Sequence, residues 1–424
     1  MMLFTLLPDA VLHASDRKTL FDSNWKFHLG IVANAEQPEY NDSHWRVLDL
    51  PHDWSVEPLS FQKQGITTGP FSRMSEGDID TGQTVGGEGW YRKELTLAGS
   101  DADKRIVLYF EGVYNQSELW INGKKANYNV YGYTSYRVDI TPYLNAPGTP
   151  NVIAMKVVNA GRNSRWYAGS GIFRHVWLIK TNKLYLDKWD TFVNASELQK
   201  KEAVIQFSTI VHNEGLHNQS GKIGIKIYSP AGNEVFSTSQ DVILSEGTPV
   251  ATSFSLKKPE LWSVDTPVLY TAEVSLSSDG KEYDKISVPF GIRTLSFSAE
   301  KGFLLNGKSM KLKGGCVHHD NGLLGAAAID RAEERKVELM KANGYNAVRC
   351  AHNQVSEYFL DACDRLGMLV IHETFDQWQK AKREQDYHQF FDEWSDWDLA
   401  ASVRRDRNHP SIIMWSIGNE VEQR

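Results

Sequence analysis

The stretch from residue 344 to residue 373, GYNAVRCAHNQVSEYFLDACDRLGMLVIHE, determines the fold class of the C-terminal part of this chain. Tyr345–Arg349 has the length of a strand and follows the helix-ending Asn343-Gly344 directly. Ser356 then begins a helical pattern, and Gly367 ends it in the way that glycine commonly ends helices. Met368–Ile371 follows directly as a second strand. A strand, a helix and a strand with such short connections predict a parallel pair joined by a crossover helix.

The same alternation continues on both sides of this stretch. One strand and one helix precede it, and one helix and one strand follow it, so the whole region is expected to be β-α-β-α-β-α-β. The additional predicted elements are a strand Met310–Gly315, a helix that begins at an Asp330–Glu333 capping box and ends at Asn343-Gly344, a helix Asp392–Arg405 and a strand Ile412–Trp415.

Four strand–helix units are half of a (β/α)8 barrel, which needs eight strands and about 250 residues. An open four-stranded parallel sheet would leave an unpaired apolar edge. We therefore expect residues 298–424 to be the first half of a TIM-barrel catalytic domain, and the sequence to be truncated at its C-terminus in mid-barrel.

Two all-β domains are expected before the barrel. Residues 20–183 alternate short apolar runs with turn signals, among them Asn122-Gly123, a strong hairpin signal, and predict a β-sandwich with long loops. Residues 184–297 contain about seven strands of five to eight residues, which is typical of an immunoglobulin-like sandwich without its cysteine pair. The fold class is thus multidomain, β followed by α/β.

Residues 1–19 are interpreted as an N-terminal tail or the remnant of an export signal. Met1–Leu7 is apolar and Ala14 is small, but no basic residue occurs before Arg17. This pattern predicts a periplasmic or secreted protein, with a cytoplasmic location as the alternative.

The composition narrows the possible partners. Lys and Arg total 46 against 53 Asp and Glu, a net charge of −7 that argues against nucleic-acid binding. No apolar run is long enough to span a membrane. The 13 tryptophans are compatible with stacking on sugars or with sandwich cores, and we assign Trp25, Trp45 and Trp54 to the core.

Polar side chains follow every predicted strand of the barrel. Catalytic groups of α/β barrels project from these carboxyl ends, so we expect the side chains to share one face of the domain. A polar residue at one strand end is commonly a satisfied loop residue, but four polar strand ends in succession indicate an active site. The candidates, from strand one to strand four, are His318, His319 and Asp320; Arg349 and His352; His372, Glu373 and Asp376; and Asn419 and Glu420.

These residue types favour hydrolysis of a glycosidic bond. The sequence has no G-x-S-x-G elbow and no phosphate-binding glycine loop. His318-His319-Asp320 lacks the spacing of a helical zinc site, so we predict no metal and no cofactor. Glycoside hydrolysis needs a carboxylic acid that protonates the leaving oxygen and a second carboxylate across the bond. We expect burial and the partner's negative charge to keep that acid protonated near neutral pH.

Several motifs resemble glycoside hydrolase family 2, and within it the β-galactosidases of the Bacteroides type. The resemblance extends over residues 20–424, and its most specific part is the family's acid/base signature on the fourth strand. The motifs are RNHPSIIMWSIGNE at 407–420, GYNAVRCAH at 344–352 followed by CDRLG at 363–367, RWYAGSGIFRHVW at 165–177 and GWYRK at 89–93.

The resemblance implies a jelly-roll sugar-binding-like domain at 20–183 and a retaining exo-β-glycosidase that acts by double displacement on terminal β-D-galactosides. It implies that Glu420 is the general acid/base and that Asn419 binds the sugar 2-hydroxyl. Arg349 would orient the nucleophile, a Glu of barrel strand seven that the sequence ends before. The other substrate-binding residues would be His318 and His352 at the terminal sugar, Glu373 beside Glu420, and Trp378 as a wall of a neighbouring subsite.

Two positions depart from the family's pattern. Some members carry an Asp that reaches the substrate where this chain has His175, so the resemblance does not establish a contribution of the first domain to the site. Some members bind a divalent cation through an acidic residue and a His two positions later, but Glu373 is followed by Thr374 and Phe375. The resemblance therefore supports no metal site.

Other functions remain open at this point. The same scaffold could act as a β-glucuronidase or β-mannosidase. Since half of the barrel and the nucleophile are absent, we expect the 424-residue chain alone to be inactive, and a non-catalytic carbohydrate-binding protein is the alternative for it. The full-length enzyme is a possible homo-oligomer.

Overall fold

The computed structural model describes residues 17–57, 75, 83–199, 201–215 and 217–422. Residues 1–16 of the expected export segment lie outside the described residues. Its last part does not behave as a tail, because Lys18–Leu20 pairs antiparallel with Val176–Thr181 of the first domain. The expected boundary at residues 19 and 20 therefore falls inside a strand.

The first domain is a jelly-roll sandwich of two antiparallel sheets. One sheet has the order β1-β10-β5-β8, and the other has the order β3-β2-β4-β9-β6-β7. The ten strands are β1 (Lys18–Leu20), β2 (Trp25–Leu29), β3 (Arg46–Leu48), β4 (Gly87–Thr96), β5 (Arg105–Phe110), β6 (Gln116–Ile121), β7 (Lys124–Asn129), β8 (Tyr136–Asp139), β9 (Pro150–Asn159) and β10 (Val176–Thr181).

A hairpin and three buried tryptophans of the first domain agree with the local sequence signals. Asn122 and Gly123 form the predicted hairpin between β6 and β7, and both have positive φ, at 52° and 76°. The predicted core tryptophans are buried: Trp25 and Trp54 are fully inaccessible, and Trp45 is 5% exposed. Burial of such large aromatic surfaces is a main stabilising contribution in a sandwich.

The second domain is the predicted immunoglobulin-like sandwich. In one sheet β13 pairs with β11 and β12 along one edge and with β16 along the other, and the second sheet has the order β15-β14-β17-β18. Strict alternation of buried and partly exposed residues along Tyr270–Ser278 is the period-two pattern of a half-buried strand. The strands are β11 (Leu184–Leu186), β12 (Phe192–Gln199), β13 (Glu202–Asn213), β14 (Gln219–Tyr228), β15 (Glu234–Leu244), β16 (Thr248–Lys257), β17 (Tyr270–Ser278) and β18 (Lys281–Phe290).

The third domain begins with a small antiparallel sheet and continues as a four-stranded parallel sheet, the first half of a TIM barrel. The small sheet starts at Leu295, so the expected boundary between residues 297 and 298 falls inside its first strand. The parallel order β22-β23-β24-β25 has one crossover helix after each of the first three strands. The elements are β19 (Leu295–Ser298), β20 (Gly302–Leu305), β21 (Lys308–Ser309), β22 (Gly314–Val317), α1 (Asp330–Ala342), β23 (Ala347–Cys350), α2 (Glu357–Leu366), β24 (Leu369–Glu373), α3 (Phe391–Asp406) and β25 (Ile412–Ser416).

In the barrel, the ends of α2 follow the local capping motifs of the sequence, whereas the start of α1 is determined by contacts with distant residues. Ser356 caps α2 by accepting from the Phe359 N–H at 3.1 Å, and Gly367 ends that helix in the left-handed conformation, as predicted. The predicted capping box of α1 is wrong. Ile329 is the N-cap, and the Glu333 carboxylate instead accepts from Asn321 and from the Ser356 hydroxyl.

The first strand of the barrel also differs from its prediction. It runs over Gly314–Val317 rather than from Met310, because the Met310 N–H bonds back to Phe303 of the small sheet. Among the described residues, no helix is both long and apolar enough to cross a membrane.

Candidate active site

Glu373, the last residue of β24, is the centre of a polar cluster at the carboxyl ends of the barrel strands. Its carboxylate is inaccessible to solvent and accepts from Arg349 at 2.6 Å and from the Ser416 hydroxyl at 2.6 Å. His352 Nδ1 lies 2.7 Å from its other oxygen, so the imidazole donates there. Burial alone would raise the pKa of Glu373, but hydrogen bonds from His352, Ser416 and Arg349 outweigh it and lower that pKa. Glu373 is therefore an ionised anchor at neutral pH.

Arg349 connects this anchor to the end of β25. Its Nη2 also donates to Asn419 Oδ1 at 3.0 Å, and its Nη1 lies 3.6 Å from the Cys316 thiol. The resemblance implied that Arg349 orients the nucleophilic carboxylate. In the described structure its carboxylate partner is Glu373.

Asn419 is held on both sides of its amide. Its oxygen accepts from Arg349, and its Nδ2 donates to Asp376 Oδ1 at 2.9 Å. The backbone N–H of Asn419 bonds to the Phe375 carbonyl at 3.0 Å, and Lys382 Nζ bonds to the Asn419 carbonyl at 2.6 Å. These four contacts fix the residue that precedes the predicted acid/base.

Glu420 has a different environment from Glu373. It adopts a left-handed backbone with φ of 46°, and its side chain is 76% exposed. Arg165 Nη1 of the first domain lies 3.9 Å from its carboxylate. Among the described residues Glu420 is thus far less enclosed than Glu373, and the burial expected of a protonated acid in the intact protein stays a prediction.

His318 and His352, both predicted at the terminal sugar, are in edge-to-face contact with each other. Their ring centroids are 5.7 Å apart, and the ring of Trp166 lies 5.3 Å from His318 and 5.5 Å from His352. Burial and the neighbouring His352 lower the pKa of His318, which favours a neutral imidazole. The structure therefore brings both predicted histidines together under an indole ring.

The first domain contributes two residues that sequence reasoning did not select. Arg165 forms a bidentate ion pair with Asp376, and Trp166 covers the two histidines. Both lie in the quoted motif at 165–177, where an Arg-Trp pair in an irregular loop was the available signal. His175 of the same motif instead binds Asp22 and Asp330 at 2.5 Å and 2.9 Å, between the first domain and α1.

Trp378 lies behind the loop that carries Asn419 and Glu420. Its indole N–H donates to the Ile417 carbonyl at 2.9 Å, and its ring is 6.1 Å from that of Phe391. Gly418 is in such close contact that an added Cβ would come within 2.7 Å of the indole nitrogen. The half-buried ring thus supports the loop, and its role as a subsite wall stays a prediction.

Two histidines among the strand-end candidates lie outside this cluster. His319 is buried and bonds to the Ala168 carbonyl of the first domain at 2.9 Å, and burial lowers its pKa to about 3. His372 is fully buried 3.0 Å from Asp406, and burial lowers its pKa as well. Both are therefore neutral packing residues.

A separate acidic group lies away from the strand ends. Asp361, Asp364 and His409 place donor atoms within 4.8 Å of one another. The Asp364 carboxylate already accepts from His409 at 2.6 Å and from the Ser411 N–H at 3.0 Å. This group holds the segment before β25 against α2.

Comparisons with known proteins identify all three domains. Residues 19–182 match the model described as glycosyl hydrolases family 2, sugar binding domain, and residues 185–293 match glycosyl hydrolases family 2. Residues 298–424 match glycosyl hydrolases family 2, TIM barrel domain.

Similar proteins carry two different activities in their names. The chain is 43% identical over 404 residues to the beta-galactosidase BoGH2A of Bacteroides ovatus, covering 95% of this chain and 46% of that protein. It is 35% identical to a putative beta-glucuronidase of Formosa agariphila, covering 95% of this chain and 37% of that protein.

A solved structure of a glycosyl hydrolase family 2 member from Bacteroides cellulosilyticus superposes with a TM-score of 0.93 at 45% identity. The match covers 96% of this chain and 52% of that one. The chain thus spans about half the length of these relatives.

Proposed function

The chain belongs to glycosyl hydrolases family 2, and we propose that the protein carrying it hydrolyses terminal non-reducing β-D-galactosides with retention of configuration. The observation that carries this proposal is the fixed cluster at the strand ends. Glu373, Arg349 and Asn419 form one hydrogen-bonded chain, and Glu420, with Arg165 3.9 Å from its carboxylate, is the next residue after Asn419. The similarity to BoGH2A favours galactose as the sugar.

In this proposal Glu420 is the general acid/base. Its carboxylate would protonate the leaving-group oxygen of a bound glycoside and later accept a proton from the attacking water. The Asn419 amide, held by Arg349 and Asp376, would bind the 2-hydroxyl of the sugar. His318, His352 and Trp166 would enclose the terminal ring.

The nucleophile in this proposal is a carboxylate that does not belong to residues 1–424. Glu373 is unsuited to the role, because its carboxylate is fully buried and each oxygen is engaged by strong donors. A nucleophile must instead have one oxygen open to the anomeric carbon. Glu373 is therefore assigned to orienting Arg349, His352 and Ser416.

Replacement of the acid/base tests the mechanism. We expect Glu420→Gln to lower kcat/KM of the intact protein on phenyl β-galactoside by about 10³-fold, because the leaving phenoxide then departs without a proton. The loss on 2,4-dinitrophenyl β-galactoside should be smaller, because that leaving group needs little protonation. Equal turnover of phenyl β-galactoside by the variant and the unmodified protein would overturn the assignment of Glu420.

A second candidate is β-glucuronidase activity, which the similarity to the Formosa agariphila protein favours. β-Mannosidase activity on the same scaffold is a further alternative from the sequence. A panel of 4-nitrophenyl β-glycosides with galactose, glucuronic acid and mannose, assayed on the intact protein, decides among the three. The largest kcat/KM identifies the sugar.

For the 424-residue chain by itself we propose carbohydrate binding without turnover, since it contains no assigned nucleophile. Galactose titration together with an activity assay of this chain tests that proposal. We further propose a periplasmic or secreted location and a homo-oligomeric intact enzyme. Cell fractionation and light scattering test these two proposals.

A further inference from the structure

The loop that carries the proposed acid/base is tied to a different domain. Arg165, in the irregular segment between β9 and β10 of the first domain, donates from Nε and Nη2 to the two oxygens of Asp376 at 2.9 Å and 2.6 Å. We propose that Arg165 is a positioning residue that sets the orientation of Asn419 and Glu420 through Asp376. This inference rests on the proposed function.

Asp376 connects Arg165 to the loop that carries Asn419 and Glu420. Its side chain is only 7% exposed, and one of its oxygens accepts both from Arg165 and from the Asn419 amide. Lys382 Nζ bonds to the same oxygen at 3.1 Å and to the Asn419 carbonyl at 2.6 Å. Burial would raise the pKa of Asp376, but the Arg165 and Asn419 hydrogen bonds outweigh it and lower that pKa. The carboxylate is thus a fixed anion between two domains.

The remaining nitrogen of Arg165 faces the proposed acid/base directly. Nη1 lies 3.9 Å from the Glu420 carboxylate, while Nε and Nη2 are held by Asp376. The planar guanidinium gives all three nitrogens fixed relative directions, which a lysine ammonium does not. Arg165 therefore constrains Glu420 on one side and Asn419, through Asp376, on the other.

The first domain holds this arginine in place. The neighbouring Trp166 donates its indole N–H to the Tyr133 hydroxyl at 3.2 Å, and the Ser164 hydroxyl donates to the Trp166 carbonyl at 3.0 Å and accepts from the Trp166 N–H at 3.3 Å. Tyr133 is buried beneath this loop. Correct docking of the first domain on the barrel thus becomes a condition for the geometry of the acid/base loop.

Kinetics with two leaving groups test the inference in the intact protein. We expect Arg165→Ala to lower kcat/KM on phenyl β-galactoside by about 30-fold and on 2,4-dinitrophenyl β-galactoside by less than about 3-fold, because kcat/KM reports the step in which the leaving group departs and a displaced acid matters there only where protonation is needed. Arg165→Lys should recover part of the loss. The double variant Arg165→Ala/Asp376→Asn should lose less than the product of the two single losses, because the effect of Arg165 on Asn419 passes through Asp376 while its effect on Glu420 is direct.

The matched control is Arg404→Ala. Arg404, on α3, also forms an interdomain ion pair, with Asp190 next to the second domain, but among the described residues neither member of that pair bonds to Asp376, Asn419 or Glu420. A general loosening of domain contacts would affect both variants and both substrates equally. That outcome, or unchanged kinetics of Arg165→Ala, would overturn the inference.

Hydrogen–deuterium exchange separates failure of this inference from failure of the proposed function. If the unmodified protein cleaves none of the aryl glycosides, the proposed function fails, and exchange over residues 417–422 still measures the constraint. Faster exchange there in Arg165→Ala but not in Arg404→Ala would support positioning by Arg165. Equal exchange in the two variants would overturn it.

Discussion

The two carboxylates at neighbouring strand ends, Glu373 and Glu420, have opposite environments. Glu373 ends β24, is inaccessible to solvent and is bound by Arg349, His352 and Ser416. Glu420 follows β25, is 76% exposed and has Arg165 at 3.9 Å. A carboxylate that is surrounded by donors holds other groups in place, whereas a carboxylate on an open turn is able to exchange protons with a bound molecule. The same residue type thus serves two purposes, set by its surroundings.

The largest expected effect comes from neutralising the buried carboxylate. We expect Glu373→Gln to lower the free energy of unfolding by about 3 kcal/mol, because Arg349 loses its counter-charge at a site with little water. Glu420→Gln should change it by less than about 1 kcal/mol, because among the described residues its carboxylate has one charged neighbour, at 3.9 Å. Urea unfolding of both variants of the intact protein measures the difference. Equal losses in the two variants would break the contrast between the carboxylates.

The same contrast predicts a pH dependence. The pKa of Glu373 is lower in the folded protein than its ordinary value of 4.5, so the folded state favours the ionised form. Its stabilising contribution is therefore fully present above pH 4.5 and is lost as the pH falls towards the folded-state pKa. We expect the stability difference between the unmodified protein and Glu373→Gln to be constant from pH 6 to 7 and to shrink below about pH 4. A difference that grows on acidification would contradict this sign.

The sequence predicted where the polar cluster around Glu373 lies better than it predicted the hydrogen bonds within that cluster. Arg349, Glu373 and Asn419 were expected on one face because carboxyl ends of parallel strands meet at one edge of a sheet. The hydrogen-bond partner of each side chain depends on its rotamer and on irregular loops that have no hydrophobic periodicity. The pairing of Arg349 with Glu373 was therefore not predictable. The failed capping box of Glu333 has the same cause, since a local motif competes with tertiary partners.

The contribution of the first domain was the harder part to predict. Arg165 and Asp376 are 211 positions apart in the chain and lie in irregular segments. The Glu373 contacts follow from regular strands, but the Arg165 contact follows from how two domains dock. His175, the first-domain residue that the sequence singled out, bonds to Asp330 of α1 and so joins the first domain to the barrel away from the site.

A smaller effect is expected from one donor to the buried carboxylate. Ser416→Ala removes the 2.6 Å hydrogen bond to Glu373, and a bond to a charged group is worth about 2 kcal/mol. Ser411→Ala, just before the same strand, is the matched control, since its buried hydroxyl has no hydrogen-bond partner among the described residues. Thermal unfolding of the two variants gives the comparison. A loss at Ser411 as large as that at Ser416 would show that the effect is not specific to the Glu373 cluster.

The smallest expected effect concerns the support of the exposed carboxylate. Trp378→Phe keeps the ring but removes the N–H that bonds to the Ile417 carbonyl, so we expect a loss of about 1 kcal/mol or less in the free energy of unfolding. Because the lost bond lies in the loop that precedes Glu420, hydrogen–deuterium exchange of residues 417–420 should accelerate, while exchange in β24 around Glu373 should not change. Trp397→Phe, at a ring on α3 that is 44% exposed, controls for the loss of an indole elsewhere. Acceleration in β24 as well would mean that the two carboxylates share one rigid support, and the contrast between an anchored and a free carboxylate would then fail.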